Sequence, residues 1–351
     1  MRGMKIRMTR ETKRLFKVKR KLSPLAVILP LLLVLLAVCS VVYDNSRIQL
    51  DEQTFSMPTL PKALDGYSIL QISDIRSKQF GQDGAALDEV LKNTSYDVVV
   101  MTGDLVALDN DATGFYQALD YFGAQGKPVY YITGEDDPEI TEIAEDGSFG
   151  LTQWARTAQQ KGAVLLDIPV QLAGGDSDTA LWLMPASALV LDTQSTLDSL
   201  AARLEDEQLS DGAVQSILYR KARYEAFADA MAKRQHNDLT VMLSHMPCLE
   251  ASLQSESSTA IFSEADLILS GHNLGGQYCL PFIGALHADN DMLPRGGWFP
   301  AEEYLSGLHE VNATYQYVST GLGAAHRTPF RFRLWNTPQI SLIKLTRKLD
   351  A

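Results

Sequence analysis

Five short apolar runs in this chain each stop at a residue able to bind a metal ion. Ile69-Leu70-Gln71-Ile72-Ser73 runs into Asp74, with Arg76 two positions on. Val98-Val99-Val100-Met101-Thr102-Gly103 runs into Asp104, and Val129-Tyr130-Tyr131-Ile132-Thr133-Gly134 into Glu135 and Asp136. Leu239-Thr240-Val241-Met242-Leu243-Ser244 reaches His245, and Leu267-Ile268-Leu269-Ser270-Gly271 reaches His272. Carboxylates and imidazoles together suit Zn²⁺, Mn²⁺ or iron, so the chemistry indicated is metal-assisted. Taken singly, each residue has a plainer reading as a helix cap, a loop acid or a hydrogen-bonded core histidine. Five agreeing terminations favour one shared site, because buried carboxylates without partners are rare.

The elements that would position these residues are strands, since each run is rich in β-branched residues and of strand length. In open α/β sheets ligands gather beyond the carboxyl ends of strands, which would bring Asp74, Asp104, Glu135, His245 and His272 to one rim. Helices are predicted between the strands, from Ala85, Leu87, Val90 and Leu91, and again from Tyr116, Leu119 and Phe122. The alternation implies a largely parallel, layered α/β core. Ala163–Leu166 and Leu181–Met184 read as further strands, and Arg331–Leu334 with Ile340–Ile343 is expected to close the sheet. Between about Thr193 and Gln235, Ile217, Tyr224, Ala228 and Met231 fall on one helical face, which predicts a helical insertion.

The 351 residues carry a net charge of −12, unevenly spread. Residues 1–22 hold ten Lys or Arg and one acid, and Leu25 to Tyr43 is apolar and uncharged. Such a run crosses a bilayer of about 30 Å at about 1.5 Å per residue. The basic flank predicts a cytoplasmic tail (1–22), a membrane helix (23–43), a polar linker (44–61) and an extracytoplasmic domain (62–349). The run is long for a cleaved signal, and the bulky Val38 departs from a lipoprotein box at Cys39. Without the tail's excess of nine positive charges about −21 remains, which argues against nucleic acid and against adhesion to anionic lipid. Cys248 and Cys279 are too few for a disulfide scaffold, and whether they pair stays open.

In order and spacing the motifs resemble those of the calcineurin-like metallophosphoesterases, in particular a bacterial branch with one N-terminal membrane anchor. That family's pattern is Asp-x-His, Gly-Asp-x-x-Asp, Gly-Asn-His-Asp/Glu, a lone His and Gly-His-x-His. Further matches are Phe80-Gly81, Ser244-His245-x-Pro247, Gly275-Gly276-Gln277 and Ser319-Thr320-Gly321-Leu322-Gly323. The resemblance implies a sandwich of two mixed β-sheets flanked by helices, two divalent metals and hydrolysis of phosphoesters. It matches Asp74, Asp104, His245 and His272 to ligand positions.

Five replacements stand out against that pattern, one of them Ala107 at the second acid of Gly-Asp-x-x-Asp. Arg76 and Leu274 stand where the family has metal-binding histidines, Glu135 stands for an asparagine, and Asp136 for the catalytic histidine. One metal should therefore keep only Asp74 and the shared Asp104, while the other keeps Asp104, Glu135, His245 and His272. A guanidinium pairs with carboxylates through a planar fork, so Arg76 is expected where the first cation would sit. One divalent ion (Mn, Zn or Fe) is expected, with a phosphorylated small molecule or lipid as ligand. Asp136 would serve as a substitute acid and Arg76 as a phosphate holder. Two functions stay open at this point: a membrane-anchored phosphoesterase of reduced activity, or an inactive relative that binds a phosphorylated ligand or an envelope partner.

Overall fold

The computed structural model describes residues 23–106, 108–173, 179–186, 192–248, 265–288, 290, 293–311, 314–325 and 331–347. The basic tail and Ala107, which stands at the family's second acid of Gly-Asp-x-x-Asp, lie outside them. The apolar run forms helix α1 (Pro24–Ser46), capped by Ser23 and started by Pro24. It is long and apolar enough to cross a membrane.

The strands in chain order are β1 (Gln49–Ser56), β2 (Ser68–Ile72), β3 (Val98–Thr102), β4 (Val129–Ile132), β5 (Thr141–Ile143), β6 (Phe149–Leu151), β7 (Ala163–Leu165) and β8 (Val170–Ala173). They continue with β9 (Leu181–Pro185), β10 (Leu239–Leu243), β11 (Leu267–Ser270), β12 (Cys279–Leu280), β13 (Gly284–Ala285), β14 (Gly307–Val311), β15 (Thr314–Val318) and β16 (Gln339–Thr346). One six-stranded sheet has the order β1-β16-β2-β3-β4-β7, the other β14-β15-β11-β10-β9-β8. Both are mixed. β2, β3, β4 and β7 run parallel while β16 opposes β2, and the parallel set β9, β10, β11 and β15 is edged by antiparallel β8 and β14.

Why these runs read as continuously apolar is clear from their two faces. Ile69, Val98, Val100, Leu183, Val241 and Leu267 fill the layer between the sheets. The intervening Leu70, Val99 and Met101 pack outward against Leu87 of α2 (Ala85–Leu91), Phe115 and Phe122 of α3 (Thr113–Ala124) and Trp154 of α4 (Gln153–Gln160). Strands buried on both faces carry no polar alternation. The two-sheet sandwich flanked by helices agrees with the expectation from sequence.

Three expectations need correction. The stretch expected as a free linker contains β1, which pairs in parallel with β16 from Gln49 to Ser56 and belongs to the domain. Arg331–Leu334 forms no strand; Leu334 makes only an isolated bridge to Tyr278, because Arg333 turns inward to bind carbonyls. The insertion is two helices, α5 (Thr193–Arg203) and α6 (Asp211–Lys233), but its buried face is Ile217, Phe227 and Ala230, with Ala228 exposed.

Candidate metal centre

The carboxyl ends of β2, β3, β10 and β11 meet at one rim. Beyond each strand the chain turns at once, and the site residues themselves adopt left-handed backbone: Asp74 (φ 52°), Arg76 (φ 50°), Asp104 (φ 53°) and His272 (φ 71°). Non-glycine residues there cost of order 1–3 kcal/mol each, and such strain collects at functional sites. Two glycines make room. A Cβ on Gly103 would stand 2.6 Å from His245 Nδ1, and one on Gly134 would stand 2.1 Å from Asp104 Oδ1.

Asp104 is the centre of the cluster. Its Oδ1 accepts the Asp136 backbone N–H at 3.0 Å, while Oδ2 faces Arg76 Nη2 and lies 3.3 Å from His245 Nε2. His272 Nδ1 is 3.0 Å from His245 Nε2. Asp104, His245 and His272 each offer a ligand atom, all within 4.8 Å of one another, and among the described residues they form the group able to hold a metal ion. His245 Nδ1 donates to the Thr102 carbonyl at 2.8 Å, which fixes the ring and presents Nε2 to the cluster. One carboxylate and two imidazoles suit a borderline divalent cation, so the donor set fits a divalent metal ion.

Arg76 occupies the other half. It is 3% exposed, with Nη1 donating to Asp136 Oδ2 at 2.8 Å, Nη2 donating to Asp104 Oδ2, and Nη2 lying 3.8 Å from Asp74 Oδ1. Asp74 Oδ2 accepts from Ser73 Oγ at 2.6 Å and from the His272 N–H at 3.0 Å, while its buried Oδ1 has no hydrogen bond. One guanidinium thus stands among three acids. Arg76 and Asp136, expected to hold phosphate and to donate a proton, are bonded to each other.

The electrostatics follow from this packing. Burial alone would raise the Asp104 carboxyl, but hydrogen bonding and attraction from His245, with Arg76 beside it, hold it well below the usual carboxylate range. Burial would lower His245, yet Asp104 raises it to about 9. His272 is shifted down by burial and by the charge of His245. Burial also works against Arg76, and its three acids outweigh it. Glu135 lies at the exposed edge, outside the three-donor group, where its charge acts on His272.

Sequence reasoning missed Asp137 as a clamp. Its Oδ1 accepts from Leu105 and Val106 N–H groups at 2.7 and 2.8 Å, and its Oδ2 accepts from Gly134 N–H at 2.8 Å, tying the Asp104 and Glu135 loops together. Burial pushes its carboxyl up to about 6. The signal available was the acidic run Glu135-Asp136-Asp137, but no spacing rule says which acid turns inward. A cavity of about 710 Å³ opens beside His245 and Ser244, walled by Ile132, Leu166 and Phe227, with Arg220 and Arg223 of α6 on its border. Arg223 is held by a two-pronged pair with Asp167.

The chain is 26% identical over 310 residues to the metallophosphoesterase YkuE of Bacillus subtilis (strain 168), covering 86% of this chain and 87% of the relative. Among solved structures it resembles the phosphopantetheinyl hydrolase PptH of Mycobacterium tuberculosis (12% identity, 77% of this chain and 96% of that one, TM-score 0.36). It also resembles the TT1561 protein of Thermus thermophilus (13% identity, 73% and 90%, TM-score 0.38). Residues 67–275, more than half of the chain, match the family model described as calcineurin-like phosphoesterase, and the chain belongs to that family.

Proposed function

We propose that this chain is a membrane-anchored hydrolase of phosphoester bonds that works with one divalent ion, Mn²⁺, Zn²⁺ or iron, held by Asp104, His245 and His272. The observation that carries the reading is the convergence of those three donors within 4.8 Å. When bound, such an ion polarises a phosphoryl oxygen and lowers the pKa of a coordinated water. The residues of the chain do the rest. Thr102 orients His245, the Asp136 N–H holds Asp104, and Glu135 offers a further carboxylate on the open side. Arg76 is a positioning residue that supplies fixed positive charge between Asp74, Asp104 and Asp136, in the half where a second ion would sit. Helix α1 is the anchor, with the basic tail in the cytoplasm and the domain outside.

The test is elemental analysis of the purified full chain combined with manganese-dependent hydrolysis of an aryl phosphate. One ion per chain is expected, with turnover that His245→Ala abolishes. Turnover equal to that of the variant would sink the hydrolase.

A second reading, binding of a phosphorylated ligand without turnover, is favoured by the three acids already engaged by Arg76. Losing a positioned acid costs about 10²–10⁴ in rate. On this reading Arg76→His, Asp136→His and Leu274→His together create activity where the natural chain has none.

A further inference from the structure

Helix α1 does not hang from the domain on a loose tether. Ser40 Oγ accepts the Trp335 N–H at 3.2 Å, Asp44 Oδ1 accepts from Thr337 Oγ1 at 2.9 Å, and Asn45 brackets Arg333, accepting its N–H at 2.9 Å and donating to its carbonyl at 2.8 Å. Lys78 Nζ adds a bond to the Asn45 carbonyl at 2.9 Å. The last turns of the helix are therefore docked on the 333–337 loop.

That loop belongs to a small backbone unit. Cys279 N–H donates to the Leu334 carbonyl at 2.9 Å, β12 pairs antiparallel with β13 around a tip at Pro281, Phe282 and Ile283, and Phe299 N–H donates to the Leu286 carbonyl at 3.0 Å. The unit carries Phe282 (108% exposed), Ile283 (62%), Trp298 (56%), Phe299 (55%) and Trp335 (38%). Single exposed apolar side chains need no explanation. Here, however, every exposed Phe and Trp among the described residues falls in one unit, next to the place where the apolar helix ends.

The level of the bilayer follows from the helix. Its apolar run ends at Tyr43, so Ser40, and Trp335 bonded to it, lie within the last turn of that run, where hydrocarbon gives way to headgroups. Tyr43 is exposed at the same level, with the Arg47 guanidinium 4.0 Å from its ring. Tyrosine and tryptophan collect at this depth because their rings are apolar while their N–H or O–H stays hydrated. Arg295 and Arg331, both exposed, flank these aromatic residues in sequence and suit phosphate headgroups.

We propose that the Pro281-Phe282-Ile283 tip, Trp298, Phe299 and Trp335 form a bilayer-inserting surface that lays the domain against the membrane beside α1. This rests on the reading of α1 as a membrane anchor. Attraction to anionic lipid is not required, since the inserted groups are apolar.

The full chain in phosphatidylcholine nanodiscs, with plain or dibrominated acyl chains, provides the test. Trp154 and Trp182 are buried in the core and serve as unquenched references. Brominated lipid should remove roughly half of the emission, because two of the four tryptophans lie at the interface. Trp298→Phe with Trp335→Phe should abolish the quench. In a Trp335→Phe background, Phe282→Ser with Ile283→Ser should cut the quench of Trp298 about twofold, and these exposed sites leave folding intact. A chain that does not co-purify with the discs sinks the anchor and the surface together. Co-purification without quenching overturns the surface alone, and a Trp298 blue shift that then grows with chains per disc would assign it to a second copy.

Discussion

Strands β3, β10 and β11 each begin after an aspartate and lead to a residue of the metal centre, and the two ends bury charge in opposite ways. At the amino ends, Asp97 accepts the N–H and hydroxyl of Ser68 at 2.7 and 2.9 Å, and Asp266 accepts the Thr240 N–H at 2.7 Å. Asp238 accepts the Ala180 and Gln235 N–H groups at 2.7 and 2.8 Å and the Trp182 indole at 2.8 Å. These acids tie one strand or turn to its neighbour through neutral donors. At the carboxyl ends, Asp104, His245 and His272 face one another and Arg76, several of them on left-handed backbone. One rim satisfies its carboxylates locally and sets register. The other leaves charges balanced against charges, an arrangement an added cation can enter.

The largest expected effect breaks the charged rim. Arg76→Met removes the guanidinium from three buried acids, and stranding buried charge in this way costs about 3–5 kcal/mol. The denaturation midpoint of the metal-free chain should fall accordingly, and Mn²⁺ should restore part of it by binding the folded state. A loss below about 1 kcal/mol would show that Asp74 and Asp136 do not depend on Arg76.

How much of this was legible in the sequence depended on which side chains face inward. The strands delivering Asp74, Asp104, His245 and His272 were readable because both faces are buried and the runs stay apolar. Strand β1 was not, since Asp51, Glu52 and Gln53 mimic a polar linker; its pairing with β16 spans nearly the whole chain, and Asp51 is engaged by the Tyr317 hydroxyl. Strand β15 hides the buried Gln316, whose amide bonds the Cys248 backbone. Arg333 reads as a surface cation but is fully buried, its Nε and Nη2 donating to the Gly323 and Thr320 carbonyls at 2.7 Å. That Arg76 would lie against Asp74 and Asp104 followed from its charge, whereas its bond to Asp136, and the role of Asp137, two positions after Glu135, as the clamp, followed from nothing in the pattern.

The quieter rim sharpens the contrast. Burial disfavours the Asp238 carboxylate, but the Gln235 and Ala180 N–H groups and the Trp182 indole outweigh it and depress its pKa. Asp238→Asn should therefore cost about 1–3 kcal/mol, as for a lost charge-assisted hydrogen bond, while the metal count per chain stays unchanged. The pH dependence has a definite sign. A depressed carboxyl stabilises the fold above its unfolded value of about 3.9, and that contribution is lost as pH falls through the folded value. Acidification below about pH 4 should accordingly release the Trp182 indole and change its emission in the natural chain, and much less in Asp238→Asn.

Asp266 gives the smallest and most discriminating effect. Its pKa is raised, because burial outweighs the bond to Thr240 N–H and the attraction of Arg234, so the folded state favours the neutral form more than the unfolded chain does. An amide of the same shape supplies that neutral acceptor. Asp266→Asn should lie within about 0.5 kcal/mol of the natural chain at pH 7, against the larger loss for Asp238→Asn. If the two variants lost equal stability in the same denaturation experiment, the number of neutral donors would not be what separates these acids. The view of the amino rim as one of carboxylates held by local hydrogen bonds would then fail.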